Sequence, residues 1–115
     1  MRVITIEEHW TTPGIDRALR AQPMRSRDES VALNDRGDLP ARLLDIGEQR
    51  IEAMDAAGID LQILSIAPPG THGLPAREAI ALSREANDRA SEAVAHHPTR
   101  LRAMTTLRCR IRTRP

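Results

Sequence analysis

Ile59-Asp60-Leu61-Gln62-Ile63-Leu64-Ser65-Ile66 is the stretch that decides the fold. Its apolar residues occupy both alternating sets of positions, and strands buried on both faces belong to parallel sheets covered by helices. Gly58 lies just before it and Pro68-Pro69-Gly70 just after it. Upstream, residues 41–57 carry Leu43, Leu44, Ile46, Ile51 and Met54 among charges, a spacing that predicts one helix ending at Gly58. Downstream, residues 75–95 set Ala79, Leu82, Ala86, Ala90, Ala93 and Val94 on one stripe, which predicts a second helix. Residues 2–9 open with β-branched side chains and predict a first strand; residues 101–107 predict a third. Between the first strand and the first main helix, Thr11-Thr12-Pro13-Gly14 suggests a turn and residues 15–21 a short helix. Residues 23–40 then read as a long polar loop of the kind that forms lids or binding loops.

Strand, helix, strand, helix, strand in this order makes parallel βαβ units, so the class is α/β with three strands and two main helices. Such units do not close on themselves. A (β/α)₈ barrel takes about 250 residues, and this chain has 115. The expected architecture is therefore the N-terminal βα units of an incomplete TIM-type barrel, over residues 1–107. The core is made of aliphatic residues: Trp10 is the single aromatic in a chain without Phe or Tyr. Strands built for neighbours on both sides leave apolar edges, and self-association is expected from them.

All 17 basic residues are arginines. Residues 1–107 hold 13 of them against 16 carboxylates, a net −3, and residues 108–115 add Arg108, Arg110, Arg112 and Arg114 with no acid. That Arg-rich tail reads as a non-native or disordered addition, from a shifted reading frame, a truncated gene or a natural extension. It offers no aromatic side chain for base stacking, so nucleic acid is not an expected partner. The lone Cys109 rules out an internal disulfide framework and a cysteine-based zinc site. No apolar run approaches the roughly 20 residues of a membrane span, and the start Met1-Arg2-Val3 lacks the features of a signal peptide. The expected setting is cytoplasmic, away from membranes.

The chemistry-bearing residues stand at the end of the first strand. Glu7 and His9 are two apart, so in a regular strand they share one side about 7 Å apart, with Glu8 turned the other way. A carboxylate and an imidazole so placed can converge on one metal ion at roughly 2 Å each. They can equally form a solvated acidic pair beside an ordinary histidine. Ser65, ending the second strand, would border the same pocket or simply terminate the strand. Trp10 either walls that pocket or packs. His72 falls in a glycine-flanked loop and reads as exposed. His96 and His97, at a helix C-terminus where an imidazolium suits the dipole, read as structural.

Ile6-Glu7-Glu8-His9 followed by an aromatic resembles the opening of the amidohydrolase-2 family, which includes γ-resorcylate and aminocarboxymuconate-semialdehyde decarboxylases. The segment Arg50-Ile51-Glu52-Ala53-Met54-Asp55-Ala56-Ala57-Gly58-Ile59-Asp60 resembles that family's helix-to-strand passage. Leu64-Ser65 with Pro69-Gly70, Ala86-Asn87-Asp88 and His97-Pro98-Thr99-Arg100 continue the resemblance in order. It implies a metal-dependent decarboxylase or hydrolase of small aromatic or related carboxylates. It further implies a divalent ion, Zn or Mn, bound by Glu7 and His9, with Trp10 and Ser65 near the substrate. The remaining ligands and the acid–base groups belong to later βα units, so this chain alone is expected to be inactive. Two other expectations stand beside it: a small non-catalytic α/β interaction module, and a chain that does not fold.

Overall fold

A computed structural model describes residues 1–107; the Arg-rich tail and Cys109 lie outside the described residues. The elements run β1 (Ile4–Trp10), α1 (Pro13–Ala21), a 3₁₀ turn (Met24–Ser26), α2 (Glu29–Leu33), α3 (Leu39–Leu44), α4 (Glu48–Ala57), β2 (Leu61–Ile66), α5 (Ala76–His96) and β3 (Leu101–Ala103). β2 pairs in parallel with β1 on one side and β3 on the other. These are the α/β units expected from the sequence.

The junction before β2 forms as its residues dictate. Gly58 takes a left-handed conformation (φ 71°), and its N–H reaches the carbonyls of Asp55 and Met54. Ile59 N–H then donates to the Met54 carbonyl at 2.9 Å, so the last helical carbonyls are satisfied as the chain turns into the sheet. Leu64 and Ile66 face the helices, where Leu64 joins Trp10, Ile15, Met54 and Leu101 in one core. α5 presents Ala79, Ala86, Ala90 and Ala93 to that core. These small side chains let a long helix lie close to the sheet. Its buried Ser83 hydroxyl meets the Thr71 hydroxyl at 2.9 Å, fastening the loop after β2.

Four local expectations change. Thr12-Pro13-Gly14 begins α1 rather than a turn: the Thr12 hydroxyl caps Ile15 N–H at 3.0 Å, and Pro13 occupies a first-turn position that needs no donor. Residues 41–57 form two helices, because the Asp45 carboxylate takes Gly47 N–H at 2.7 Å and bends the chain between α3 and α4. The polar loop at 23–40 contains helical turns; Asp28 caps α2 through Ser30 N–H, and Val31 buries itself beneath it. β3 stops at Ala103, because Asn87 of α5 grips both backbone groups of Thr106, donating to its carbonyl at 3.0 Å and accepting its N–H at 2.9 Å.

β1 does not run regularly. Ile4 and Thr5 pair with Leu61 and Gln62, but Glu8, His9 and Trp10 pair with Leu64, Ser65 and Ile66. Three steps along β1 therefore match two along β2, which is a β-bulge. The residue inside it, Glu7, has φ 55°. The bulge reverses the alternation: Thr5 and Trp10 are an odd number apart, yet both share a face with Gln62, Leu64 and Ile66 on the helix side. The other face is open, and Ile4 (51%) and Ile6 (64%) are exposed there or at the edge. Among the described residues no helix is long and apolar enough to cross a membrane.

Left-handed backbone costs a residue with a Cβ roughly 1–2 kcal/mol, against the roughly 0.5–1 kcal/mol that glycine loses in conformational freedom. Glu7→Gly should therefore raise the unfolding free energy by about 0.5–1 kcal/mol in urea titration. A lowered value would remove the strain assigned to this residue.

Arg20 of α1 clasps the loop at 23–40. Its Nε donates to both Asp16 oxygens at 3.0 Å and its two terminal nitrogens reach Asp35, while Arg27 donates to the Arg20 carbonyl. The hydrogen bonds from Arg20 hold the Asp35 carboxyl below its usual value. A depressed carboxyl contributes its stability in full above the ordinary value near pH 4 and loses it as pH falls through the folded value. The Tm gap between the wild type and Asp35→Asn should be steady at neutral pH and close below about pH 4. A gap undiminished at about pH 3 would show that the clasp does not depend on the charge of Asp35.

Candidate metal centre

The bulge decides what stands at the C-terminal end of β1. Counted regularly from the helix-facing Thr5, Glu7 would turn toward the helices and Glu8 away. With the extra residue, His9 pairs with Ser65 on the open face, while Glu8 is half-buried toward α4. Glu7 and His9 are both exposed and border one cleft of about 370 Å³, shared with Glu8, Arg42, Asp45 and Arg50. Glu7 and His9 thus border the same cleft, through a bulge rather than through plain alternation.

Ser65 is half-buried on the strand next to His9, so its hydroxyl belongs to the same face. Trp10 sits in the core at 1% exposure, in register with Ile66 on the opposite face; of its two expected roles, packing is where the side chain is found. Among the described residues its indole N–H has no partner. His72 is exposed. His96 bonds the Glu92 carbonyl through Nδ1 at 2.8 Å, and the His97 carbonyl accepts the Arg100 and Leu101 N–H groups, both structural duties at the far end of α5.

Sequence reading gave no role to Arg50, which the structure makes the centre of the cleft wall. Its Nε donates to the Asp45 carbonyl at 2.7 Å, Nη1 to the Gln62 side-chain oxygen at 3.2 Å, and Nη2 to the carbonyls of His9 and Arg42 at 3.0 and 3.2 Å. Burial lowers the guanidinium pKa, and the charges of Glu8 and Asp45 pull it back up. A signal was present: Arg50 lies in the first turn of α4, where the helix dipole disfavours a cation. Asn87 stood out in the sequence only as part of the segment Ala86-Asn87-Asp88, and its hold on Thr106 depends on a distant residue that no local pattern announces.

Carboxylate and imidazole are suitable donors for Zn²⁺ or Mn²⁺. Glu7 and His9 fit such an ion as two of its ligands. Among the described residues no group of three or more His, Cys, Asp or Glu side chains is placed to hold a metal. A catalytic zinc normally takes three protein ligands and an open position. Glu7 and His9 would supply two of these, and the described residues offer no third beside them.

No family model matches the chain. It is 42% identical to γ-resorcylate decarboxylase of Rhizobium radiobacter over 71 residues, 61% of this chain and 22% of that protein. It is 33% identical to the Polaromonas enzyme of the same name over 90% of this chain and 30% of that one. Among solved structures, 5-carboxyvanillate decarboxylase of Novosphingobium aromaticivorans superposes with a TM-score of 0.79 at 33% identity. That match covers 93% of this chain and 34% of the other, which was crystallised with manganese and 4-hydroxy-3-methoxy-5-nitrobenzoic acid. The 2,6-dihydroxybenzoate decarboxylase of Rhizobium matches with a TM-score of 0.70 at 33% identity, over 93% of this chain and 30% of that one. The chain spans about a third or less of the length of these relatives, which are TIM-barrel decarboxylases. In sequence and in fold, the chain is similar to about a third of the length of the amidohydrolase-2 decarboxylases.

Proposed function

We propose that residues 1–107 are the N-terminal βα units of a metal-dependent decarboxylase barrel acting on a small aromatic carboxylate, with Glu7 and His9 as two of the metal ligands. The observation that carries this reading is the bulge that exposes both side chains together at the C-terminal end of β1. In barrels of this kind, that end of the strands is where active sites form. A divalent cation bound there supplies Lewis-acid polarisation of substrate oxygens. Glu7 and His9 hold their donor atoms in place, and Ser65 offers a hydroxyl beside His9 for a polar substituent of the substrate. Trp10 contributes from the core, by anchoring the strand end.

With a half-site and an open sheet, residues 1–107 bind metal without decarboxylating. Closure requires further strands, supplied by more of the same barrel or by self-association along the free edges. The setting is cytoplasmic, and neither nucleic acid nor membrane is a partner.

The exposed Ile4, Ile6 and Met104 favour a second reading, a non-catalytic α/β module that docks a partner through its sheet. Calorimetric titration with Mn²⁺ and Zn²⁺ separates the two. Saturation near one equivalent that disappears in Glu7→Ala/His9→Ala is expected for a metal half-site. Equal behaviour of both proteins, each folded by circular dichroism, would leave the docking module.

A further inference from the structure

Arg50 ties together four segments at the cleft. Through four hydrogen bonds it joins the end of β1 (His9 carbonyl), the end of α3 (Arg42 carbonyl), the α3–α4 bend (Asp45 carbonyl) and β2 (Gln62). Every one of these acceptors is neutral. Glu8 and Asp45 act on the guanidinium through space, without a hydrogen-bonded carboxylate on it. An ion pair would fix a charge; this arrangement fixes backbone. Four donors pointing in set directions from one plane are within the reach of arginine and not of lysine, whose three donors leave a single point.

The His9 carbonyl is the informative acceptor. The next residue, Trp10, is locked in the core and sends its own carbonyl to Ala67 N–H at 2.8 Å, and Thr11 N–H reaches the Leu43 carbonyl at 2.8 Å. His9 therefore lies between the left-handed Glu7 on one side and a pinned strand end on the other. The peptide plane after His9 is held from the free edge of β1 by Arg50. Tilting that plane re-aims the bond from Cα to Cβ and hence the imidazole. A half-buried cation at a helix start also carries a desolvation and dipole cost that an apolar filler would avoid.

We infer that Arg50 is a positioning residue for His9, fixing through the His9 carbonyl the direction in which the imidazole meets a divalent ion. This rests on the metal reading of Glu7 and His9. Coupling of this kind is reciprocal: if Arg50 orders the half-site, metal at the half-site must tighten the bonds of Arg50.

Two measurements on the full chain test it. In the wild type, Zn²⁺ bound at His9, seen in the histidine ring resonances against His72, His96 and His97, should slow solvent exchange of the Arg50 Nε–H. In Arg50→Lys, Mn²⁺ affinity should fall by roughly 10- to 100-fold, the range for groups that orient metal ligands, with circular dichroism unchanged. Should the lysine variant fail to fold, the wild-type exchange experiment decides alone. Zn²⁺ binding at His9 that leaves Arg50 exchange unaltered, or a folded lysine variant with wild-type affinity, overturns the inference and leaves the half-site standing. No metal at His9 in the wild type overturns both.

Discussion

One extra residue in β1 governs everything at the site. Thr5 and Trp10 must both turn to the helix side, where Trp10 fills the core, while His9 between them faces away. Positions an odd number apart cannot share a face of a regular strand. The chain resolves the conflict by bulging at Glu7 and accepting a left-handed conformation in a residue that has a Cβ. Strain of this sort persists only where the surroundings over-determine it. Here they do: Ile4 and Thr5 are held in register with β2 below the bulge, and Glu8, His9 and Trp10 above it.

The rest of the fold supplies that over-determination. β2 is fixed at its start by the Gly58 turn and at its end by the loop that Thr71 and Ser83 fasten to α5. α3 and α4, broken apart at Asp45, close on the free edge of β1 from two directions. There they leave carbonyls that a neighbouring side chain must satisfy. A single straight helix over 41–57 would present no such bend. The same break that defeats the sequence expectation thus builds the wall of the cleft.

What the sequence made legible was whatever local chemistry determines. β2 was readable because apolar residues on both faces have few alternatives to a covered parallel sheet, Gly58 because left-handed backbone favours glycine, and α5 because its alanine stripe repeats over many turns. The pairing of Glu7 with His9 was readable as a motif, and its geometry was not. A bulge usually announces itself through glycine, and here the left-handed residue is a glutamate. The Asp45 bend, the Asn87 clamp on Thr106 and the Arg50 fork each depend on groups brought together by folding. Only Arg50 left a trace, as a cation where a helix dipole opposes one.

The open sheet and the half-site share one cause. Among the described residues the parallel sheet of three strands leaves the outer edges of β1 and β3 unpaired, and side chains such as Ile6 are exposed with no strand over them. The same missing coverage leaves Glu7 and His9 solvated, and under the proposed metal reading an ion held by this pair alone would share its remaining positions with water. Strands that closed the sheet would bury apolar surface, exclude water from the ion and bring further ligands in the same step. Closure and metal binding are then linked, each making the other more favourable. Under the proposed metal reading the bulge and Arg50 would serve that linkage, since a ligand pair already aimed leaves less to be ordered when the ion arrives.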